Sequence, residues 1–156
     1  MMIIRHAESK DLNTVNTLLH EVLEIHAKLR PDLFISGTKK YTDEELLKIF
    51  ASESTPVFVA EEDGTVYGYI FCEINEYKNR NNMPDQKILY IDDLCVDENA
   101  RGKHVGQFLY EYVIDYARSI GCTNVTLNVW EGNDAARKFY EKMGMKPQKT
   151  VMETVL

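Results

Sequence analysis

The sequence contains few of the residues that mark fibrous, disulfide-rich or metal-binding proteins. Only 4 of its 156 residues are proline and 8 are glycine, which excludes a collagen-like or low-complexity chain. The three cysteines, Cys72, Cys95 and Cys122, are odd in number and form no C-x-x-C pair, so we expect neither a disulfide framework nor a zinc site. The 4 histidines show no ligand spacing with cysteines or carboxylates, and we predict no bound metal.

Long apolar runs and an excess of basic charge are also missing. No apolar stretch approaches the roughly 18 residues that a membrane-spanning helix needs. Arg5, His6 and Glu8 interrupt the region where a signal peptide would be apolar, so we expect a cytoplasmic protein with no membrane partner. The 18 Lys and Arg residues against 25 Asp and Glu give a net charge of −7. That charge argues against nucleic acid as a partner and permits a cationic substrate.

The composition that remains is that of an ordinary globular protein, with 44% hydrophobic and 28% charged residues. The length fits one domain, residues 1–156. Apolar periodicity predicts the element order β-α-α-β-β-β-α-β-α-β. The predicted strands are 2–6, 56–62, 65–75, 87–97, 123–130 and 150–156, and the predicted helices are 12–28, 42 onward, 104–120 and 134–143. This order implies a mixed α/β sheet with helices on both faces.

Three local signals support these elements. Thr42 and Glu45 have the spacing of a capping box, which begins the second helix. The Asp63-Gly64 dipeptide predicts a tight hairpin between the second and third strands. The segment 87–97 is apolar on both faces, so we expect it to be a central strand.

The segment Asp92–Gln107, DDLCVDENARGKHVGQ, joins a buried strand to a long amphipathic helix. A glycine-containing turn at a helix N-terminus presents unpaired N–H groups, and the helix dipole favours an anion there, so the segment suits a pyrophosphate. Arg101 and Lys103 add positive charge. The spacing excludes both a P-loop and a G-x-G-x-x-G dinucleotide motif. Taken alone, R-G-x-x-x-G also fits a tight turn that binds nothing.

Two regions carry a family resemblance: residues 90–106, YIDDLCVDENARGKHVG, and residues 127–144, LNVWEGNDAARKFYEKMG. They closely resemble the two signature regions of the GCN5-related N-acetyltransferases, and the predicted element order is similar to that family's fold. The likeness covers nearly the whole chain and is most specific over residues 88–146. The family's loop usually reads R/Q-x-x-G-x-G/A. Here Gly106 matches the last glycine, and His104 stands where the first one is expected.

The resemblance implies acetyl-CoA as the donor. In the family, the strand before the loop splays from its neighbour and its backbone pairs with the pantetheine arm, while the loop amides bind the pyrophosphate. The residues that match the family's cofactor-binding positions are Leu94, Cys95, Val96, Arg101, Gly102, Lys103, His104, Val105, Gly106, Gln107, Asn133, Ala136, Arg137 and Tyr140. Asn133 also fits a plain helix N-cap, and the two roles are compatible.

Two residues match catalytic positions of the family. Tyr140, in K-F-Y-E-K-M-G, matches the usual general acid, which protonates the departing CoA thiolate. Y-I-D-D-L-C-V resembles the strand of polyamine-type and small-amine members in which the residue matching Asp92 recognises the amine or removes its proton. Neighbouring strand residues face opposite sides, so we assign Asp93 a mainly structural role. A backbone N–H near residues 95–96 is expected to polarise the thioester carbonyl, with direct transfer and no acetyl-enzyme on Cys95.

The acceptor pocket is expected between the first two helices and the strand ends. The turn at 25–34, IHAKLRPDLF, looks like that of a subset of bacterial members with an H-x(3)-R-P-D-x-F stretch. Its polar and aromatic residues, His26, Arg30, Asp32 and Phe34, are candidates for substrate binding together with Asp92, although Pro-Asp also fits a simple helix stop. Many small family members dimerise, often through their last strands, so a homodimer is a further expectation.

The sequence leaves three functions open. The first is acetyl transfer to the primary amine of a small molecule, such as a polyamine. The second is acetylation of protein N-termini or lysines, which residues 127–144 fit equally well. The third is a non-catalytic acyl-CoA-binding sensor, which only His104 favours and which Tyr140 and Asp92 count against.

Overall fold

The computed structural model describes residues 1–156. The strands are β1 (Ile3–His6), β2 (Val57–Glu62), β3 (Thr65–Tyr77), β4 (Gln86–Val96) and β5 (Asn124–Leu127), and the helices are α1 (Leu12–Leu29), α2 (Asp43–Ala51), α3 (Val105–Ser119) and α4 (Asp134–Lys142). The predicted order is confirmed through α4, and most element ends lie close to the predicted ones.

The five strands form one sheet in the order β1-β2-β3-β4-β5, antiparallel except for the parallel pair β4–β5. Each face of the sheet carries its own buried cluster. The cluster on the α1–α2 face includes Val15, Leu18, Leu46, Val57, Val59, Tyr69 and Phe71. The cluster on the α3 face includes Phe58, Ile70, Leu89, Ile91, Val105, Leu109 and Val113, with residues of α4 packed against it. The predicted mixed α/β sheet with helices on both faces is confirmed.

The local signals form the structures they predict. The Thr42 hydroxyl accepts the Glu45 N–H and the Glu45 carboxylate accepts the Thr42 N–H, each at 3.1 Å, which completes the capping box of α2. Asp63 (φ 51°) and Gly64 (φ 80°) are both left-handed, as a type I′ hairpin turn between β2 and β3 requires. The strand 87–97 becomes β4, which lies between β3 and β5.

A buried ion pair fixes the start of α1 against the sheet edge. Asp11 is only 4% exposed, and Arg5 on β1 donates to both of its carboxylate oxygens at 2.8 and 2.9 Å. Burial by itself raises the pKa of Asp11, but the hydrogen bonds and charge of Arg5 outweigh that effect and the net pKa is lowered. The pair therefore contributes stability only while Asp11 is ionised.

The predicted last strand, 150–156, is wrong. No residue after Lys142 belongs to a helix or strand, and Val151 (85% exposed), Met152 (86%) and Val155 (74%) lie in solvent. A strand needs a hydrogen-bonding neighbour, and within one chain this segment has none; its one ion pair joins Glu153 to Arg30. The edge of β5 that faces away from β4 also has no hydrogen-bonding strand beside it.

None of the helices combines the length and the apolar character that a membrane crossing requires. No three His, Cys, Asp or Glu side chains are grouped closely enough to hold a metal ion.

Candidate active site

The sheet opens between β4 and β5. Their pairing ends at Ile91 opposite Leu127, whereas β4 stays paired with β3 as far as Val96 opposite Gly68. Residues 92–96 of β4 therefore have one free backbone edge. This gap is the splay that the family resemblance implies. Within it, the Cys95 side chain points away into the core and donates its thiol to the Leu18 carbonyl at 3.6 Å.

The thiol of Cys95 is poorly suited to be a nucleophile. Burial raises its pKa, and the nearby Asp93 carboxylate raises it further, so the thiolate is disfavoured at neutral pH. Only the backbone of Cys95 can therefore contact a ligand in the gap. The side chains of Leu94 and Val96 pack against the cluster on the α3 face.

The first turn of α3 presents unpaired amides next to the gap. The first hydrogen bond of α3 runs from the Phe108 N–H to the His104 carbonyl at 3.1 Å, so the N–H groups of Val105, Gly106 and Gln107 have no partner within the helix. His104 is the N-cap and is left-handed, with φ 58° and ψ 31°. A left-handed backbone explains why glycine is usual at this position. Histidine tolerates it better than most residues do.

The other loop residues have different environments. A Cβ on Gly106 would lie 3.2 Å from Cζ of Phe139, so this glycine permits close packing of α3 on α4. Lys103 is engaged by the protein itself, because its Nζ lies 3.3 Å from the Glu62 carboxylate and 5.3 Å from the centre of the Tyr67 ring. Arg101 and Gly102 are exposed beside the turn. Because Lys103 is already paired, the backbone N–H groups are the main donors that this turn offers to an anion.

Helix α4 carries the predicted residues of the second region. The Asn133 side chain accepts the Ala136 N–H at 3.3 Å, so Asn133 is the helix N-cap. Arg137 donates to Glu141 at 2.9 Å and lies 3.7 Å from Glu131, which engages its guanidinium along the outside of the helix. These contacts do not test the predicted cofactor-binding role of Ala136 and Arg137, which stays a prediction.

Tyr140 lies on the inner face of α4. Its side chain packs against the cluster on the α3 face, and its ring centre lies 5.2 Å from that of Phe139. Burial raises the pKa of Tyr140, and the negative charge of Asp93 adds to the effect. The phenol therefore keeps its proton at neutral pH and can donate it.

A β-bulge places both neighbouring aspartates on one side of the sheet. Asp93 pairs with Phe71 and Ile91 with Cys72, so Asp92 is an extra residue without a partner on β3. The bulge shifts the alternation of side chains along β4. Ile91 packs on the α3 face. Asp93 accepts a hydrogen bond from Tyr69, and Cys95 packs with the cluster on the α1–α2 face. The prediction that the two carboxylates face opposite sides is wrong.

The two carboxylates have different surroundings. Asp93 accepts the Tyr69 hydroxyl at 2.6 Å. Burial raises the pKa of Asp93 to about 6, although the Tyr69 bond and the charge of Lys40 act in the opposite direction. Asp92 accepts the Lys40 ammonium at 3.0 Å, and its side chain is 20% exposed. Asp92 is thus the carboxylate that a ligand in the gap can reach.

The turn at residues 25–34 contributes two rings to an aromatic wall formed by His26, Phe34 and Trp130. The ring centre of Phe34 lies 5.1 Å from that of His26 and 5.6 Å from that of Trp130, which it meets edge-on. Arg30 donates twice to Asp32, at 2.9 and 2.7 Å, and its other terminal nitrogen bonds Glu153. Arg30 and Asp32 therefore pair with each other, and the Arg30 guanidinium also lies 5.9 Å from the centre of the Trp130 ring. His26 and Phe34 belong to the wall itself. Burial and then the charge of Lys40 lower the pKa of His26.

Sequence reasoning missed Lys40 and Trp130. Trp130 is the single tryptophan of the chain and stands three positions before the Asn133 cap, which was an available signal. Lys40 gave no such signal, because its contact with Asp92 joins residues that are 52 positions apart.

Comparisons with known proteins agree on the family. The model described as "Acetyltransferase (GNAT) family" matches residues 19–145. Thialysine N-epsilon-acetyltransferase of Bos taurus is 25% identical, over 92% of this chain and 83% of that protein. X-ray structures of two mutants of the Bacillus halodurans protein BH1408 are 32% identical and superpose with TM-scores of 0.93 and 0.94, over 99% of both chains. Glucosamine-6-phosphate N-acetyltransferase of Arabidopsis thaliana is 27% identical with a TM-score of 0.67, over 99% of this chain and 98% of that one.

Proposed function

Because this chain belongs to the acetyltransferase (GNAT) family, we propose that it transfers the acetyl group of acetyl-CoA directly to a primary amine of a small molecule. The observation that carries the proposal is the free edge of β4, which runs from Asp92 to the turn that opens α3. This edge has a proton acceptor at one end and unpaired amide donors at the other.

The residues along this edge fit acetyl-CoA. The N–H groups of Val105, Gly106 and Gln107 suit a pyrophosphate, because a helix N-terminus combines free donors with a favourable dipole. The open backbone of residues 92–96 suits the amides of a pantetheine arm, since a free strand edge pairs with amide groups. When bound, acetyl-CoA supplies an activated acetyl thioester.

Asp92 provides what a protonated amine requires. A primary amine has a pKa near 10.4, and removing its proton at pH 7 costs roughly 4–5 kcal/mol. A carboxylate within reach binds the ammonium and accepts its proton, directly or through a water. The bond from Lys40 at 3.0 Å supports this role, because it is an ammonium–carboxylate contact at the proposed position.

Tyr140 and the β4 backbone complete the proposed chemistry. The phenol of Tyr140 carries its proton at neutral pH, as tyrosine ordinarily does, so it has a proton or hydrogen bond to offer a thiolate leaving group. A backbone N–H around residues 95–96 would donate to the carbonyl oxygen that gains negative charge, as in an oxyanion hole. The buried thiol of Cys95 supports direct transfer.

The aromatic wall supports a small acceptor. His26, Phe34 and Trp130 form one group of contacting rings, and His26 lies near enough to Lys40, the partner of Asp92, for the lysine charge to lower its pKa. Aromatic side chains beside a carboxylate suit a compact amine. Two relatives, named thialysine N-epsilon-acetyltransferase and glucosamine-6-phosphate N-acetyltransferase, carry small molecules in their names. We therefore rank a small amine above a protein N-terminus or lysine.

The test is CoA release, followed with a thiol reagent, across a panel of acceptors with acetyl-CoA. The panel contains spermidine, putrescine, free amino acids, aminoglycosides, and peptides ending in Lys or Ala. Saturable turnover with one class of small amine is the expected result. Preference for peptides would replace the small-molecule proposal with protein acetylation. Tight binding of acetyl-CoA without turnover on any member would favour the sensor.

We also propose that the chain forms a homodimer through its C-terminal segment. The exposed Val151, Met152 and Val155 and the open edge of β5 support it, because each lacks a partner within the chain. Sedimentation equilibrium should give twice the chain mass of 18.1 kDa. Val151→Asp with Val155→Asp should give a monomer, and Ser52→Asp with Asn82→Asp is the charge-matched control. A monomeric wild-type protein would contradict the proposal.

A further inference from the structure

A primary amine of the protein itself reaches the carboxylate proposed to receive the acceptor. Lys40 lies in the connection between α1 and α2, and its Nζ is 3.0 Å from Oδ2 of Asp92. Asp92 is the first residue of β4 beyond the last pair with β5, so the contact lies where the gap begins. The Lys40 side chain is 50% exposed, which leaves room for a reactant to approach it.

The neighbouring lysine provides a contrast within the same loop. Lys39 Nζ lies 2.8 Å from Asp43 at the start of α2, and both of these side chains are more than half exposed. The two lysines are adjacent in sequence and each meets one carboxylate. The two carboxylates differ in location: Asp92, the partner of Lys40, lies at the gap, whereas Asp43, the partner of Lys39, lies on the surface of α2. Any reactivity that belongs to the site should therefore appear at Lys40 and not at Lys39.

We propose that Lys40 is a site of self-acetylation, at which its ε-amine takes the place of the external acceptor. The inference rests on the proposed acetyl transfer. The Lys40 nitrogen attacks the thioester carbonyl carbon, so that a C–N bond forms and the C–S bond breaks. Of the two protons that the nitrogen loses, one passes through Asp92 to solvent. The other replaces the proton that Tyr140 gives to the departing thiolate, and the products are acetyl-lysine and free CoA.

Acetylation changes the site because it removes the positive charge of Lys40. An acetamide carries no charge and keeps a single N–H donor, so Asp92 loses its counter-ion and an external ammonium can compete for it. The charge that contributes to the lowered pKa of His26 in the aromatic wall disappears as well. Self-acetylation would thus convert a site whose carboxylate is neutralised by its own lysine into one whose carboxylate can pair with an external ammonium.

The test is peptide mapping of the full chain after incubation with acetyl-CoA and no added acceptor. We expect acetyl-Lys40 to form at a rate that does not depend on protein concentration, because donor and acceptor belong to one molecule. Lys39 should be modified more slowly by about a hundredfold, which is the size of a general base's contribution. Asp92→Asn and Tyr140→Phe should each slow the modification of Lys40, whereas Asp43→Asn should not.

Each other outcome argues against the inference. Equal rates at Lys39 and Lys40 would show uncatalysed background acetylation. A rate that rises with protein concentration would show transfer between molecules. Turnover of an external amine with Lys40 unmodified would overturn self-acetylation and leave the proposed function in place. Absence of acetyl-CoA binding would remove both.

Discussion

Replacing Asp92 by Asn tests the proton acceptor with little change in shape. Asp92→Asn keeps the size of the side chain and removes its charge. The ion pair with Lys40 is half exposed on the lysine side, and such pairs contribute about 0–1 kcal/mol to stability. The variant should therefore fold, with a melting temperature close to that of the wild type.

The expected kinetic effect is much larger than the effect on stability. At pH 7 the amine needs roughly 4–5 kcal/mol to lose its proton, and a positioned general base contributes about 10²–10⁴ in rate. We expect kcat/KM of Asp92→Asn to fall by about that factor at pH 7. The deficit should shrink as the pH approaches about 10, because the acceptor then loses its proton without help.

The assay is CoA release from pH 6 to 10 with the best amine of the panel. Asp43→Asn is the matched control, because it removes the carboxylate that pairs with Lys39 outside the gap. The reasoning would be refuted by a deficit of the same size at every pH, or by no deficit at neutral pH. The first result would indicate lost acceptor binding or positioning, and the second would exclude Asp92 from the reaction.

Three further substitutions test other parts of the account. Tyr140→Phe should lower kcat by about 10²-fold or more and leave the calorimetric Kd for acetyl-CoA unchanged. His104→Gly should raise the free energy of unfolding in urea by about 1 kcal/mol, since it relieves a left-handed backbone. Asp11→Asn should lower it by about 2–3 kcal/mol at pH 7, by removing charge-assisted bonds from Arg5. Because the folded pKa of Asp11 is lowered, the wild type should lose this advantage as the pH falls below about 4.

Opposite results are informative for each substitution. A Tyr140→Phe enzyme with full kcat would remove the phenol as proton donor. A destabilised His104→Gly protein would mean that the imidazole makes a contact that outweighs the backbone strain. An Asp11→Asn protein whose stability still falls with acid as steeply as that of the wild type would place the acid-sensitive group elsewhere.

Periodicity and local signals predicted most of the fold. Apolar spacing identified the elements through α4, since each buries one stripe or face against the sheet. The capping box at Thr42 and the Asp63-Gly64 turn are complete within a few residues, so sequence alone specifies them. The segment 150–156 has strand-like composition, but a strand depends on a neighbour that the sequence of one chain does not reveal.

The site was only partly predictable for a related reason. The unpaired amides of α3 follow from a local turn motif, and the sequence indicated them correctly. The bulge at Asp92 depends on the register between β3 and β4, which no local pattern determines, so the two aspartates were wrongly expected to face opposite sides. Lys40 meets Asp92 only in the folded chain, because the contact joins residues 52 positions apart.

The central claim is that the unpaired amides of α3 hold the pyrophosphate of acetyl-CoA, and Gln107 offers its most direct test. Gln107→Pro removes one of these amides in the first turn of α3, where no hydrogen bond within the helix is lost. Gln107→Ala keeps the amide and loses only the side-chain bond to Glu111, so it is the matched control. Calorimetry with acetyl-CoA should show the Pro variant binding about 10-fold to 100-fold more weakly, as loss of a charge-assisted bond predicts, with the Ala variant like wild type. Equal affinity of the Pro and Ala variants, or no binding by the wild type, would contradict the claim.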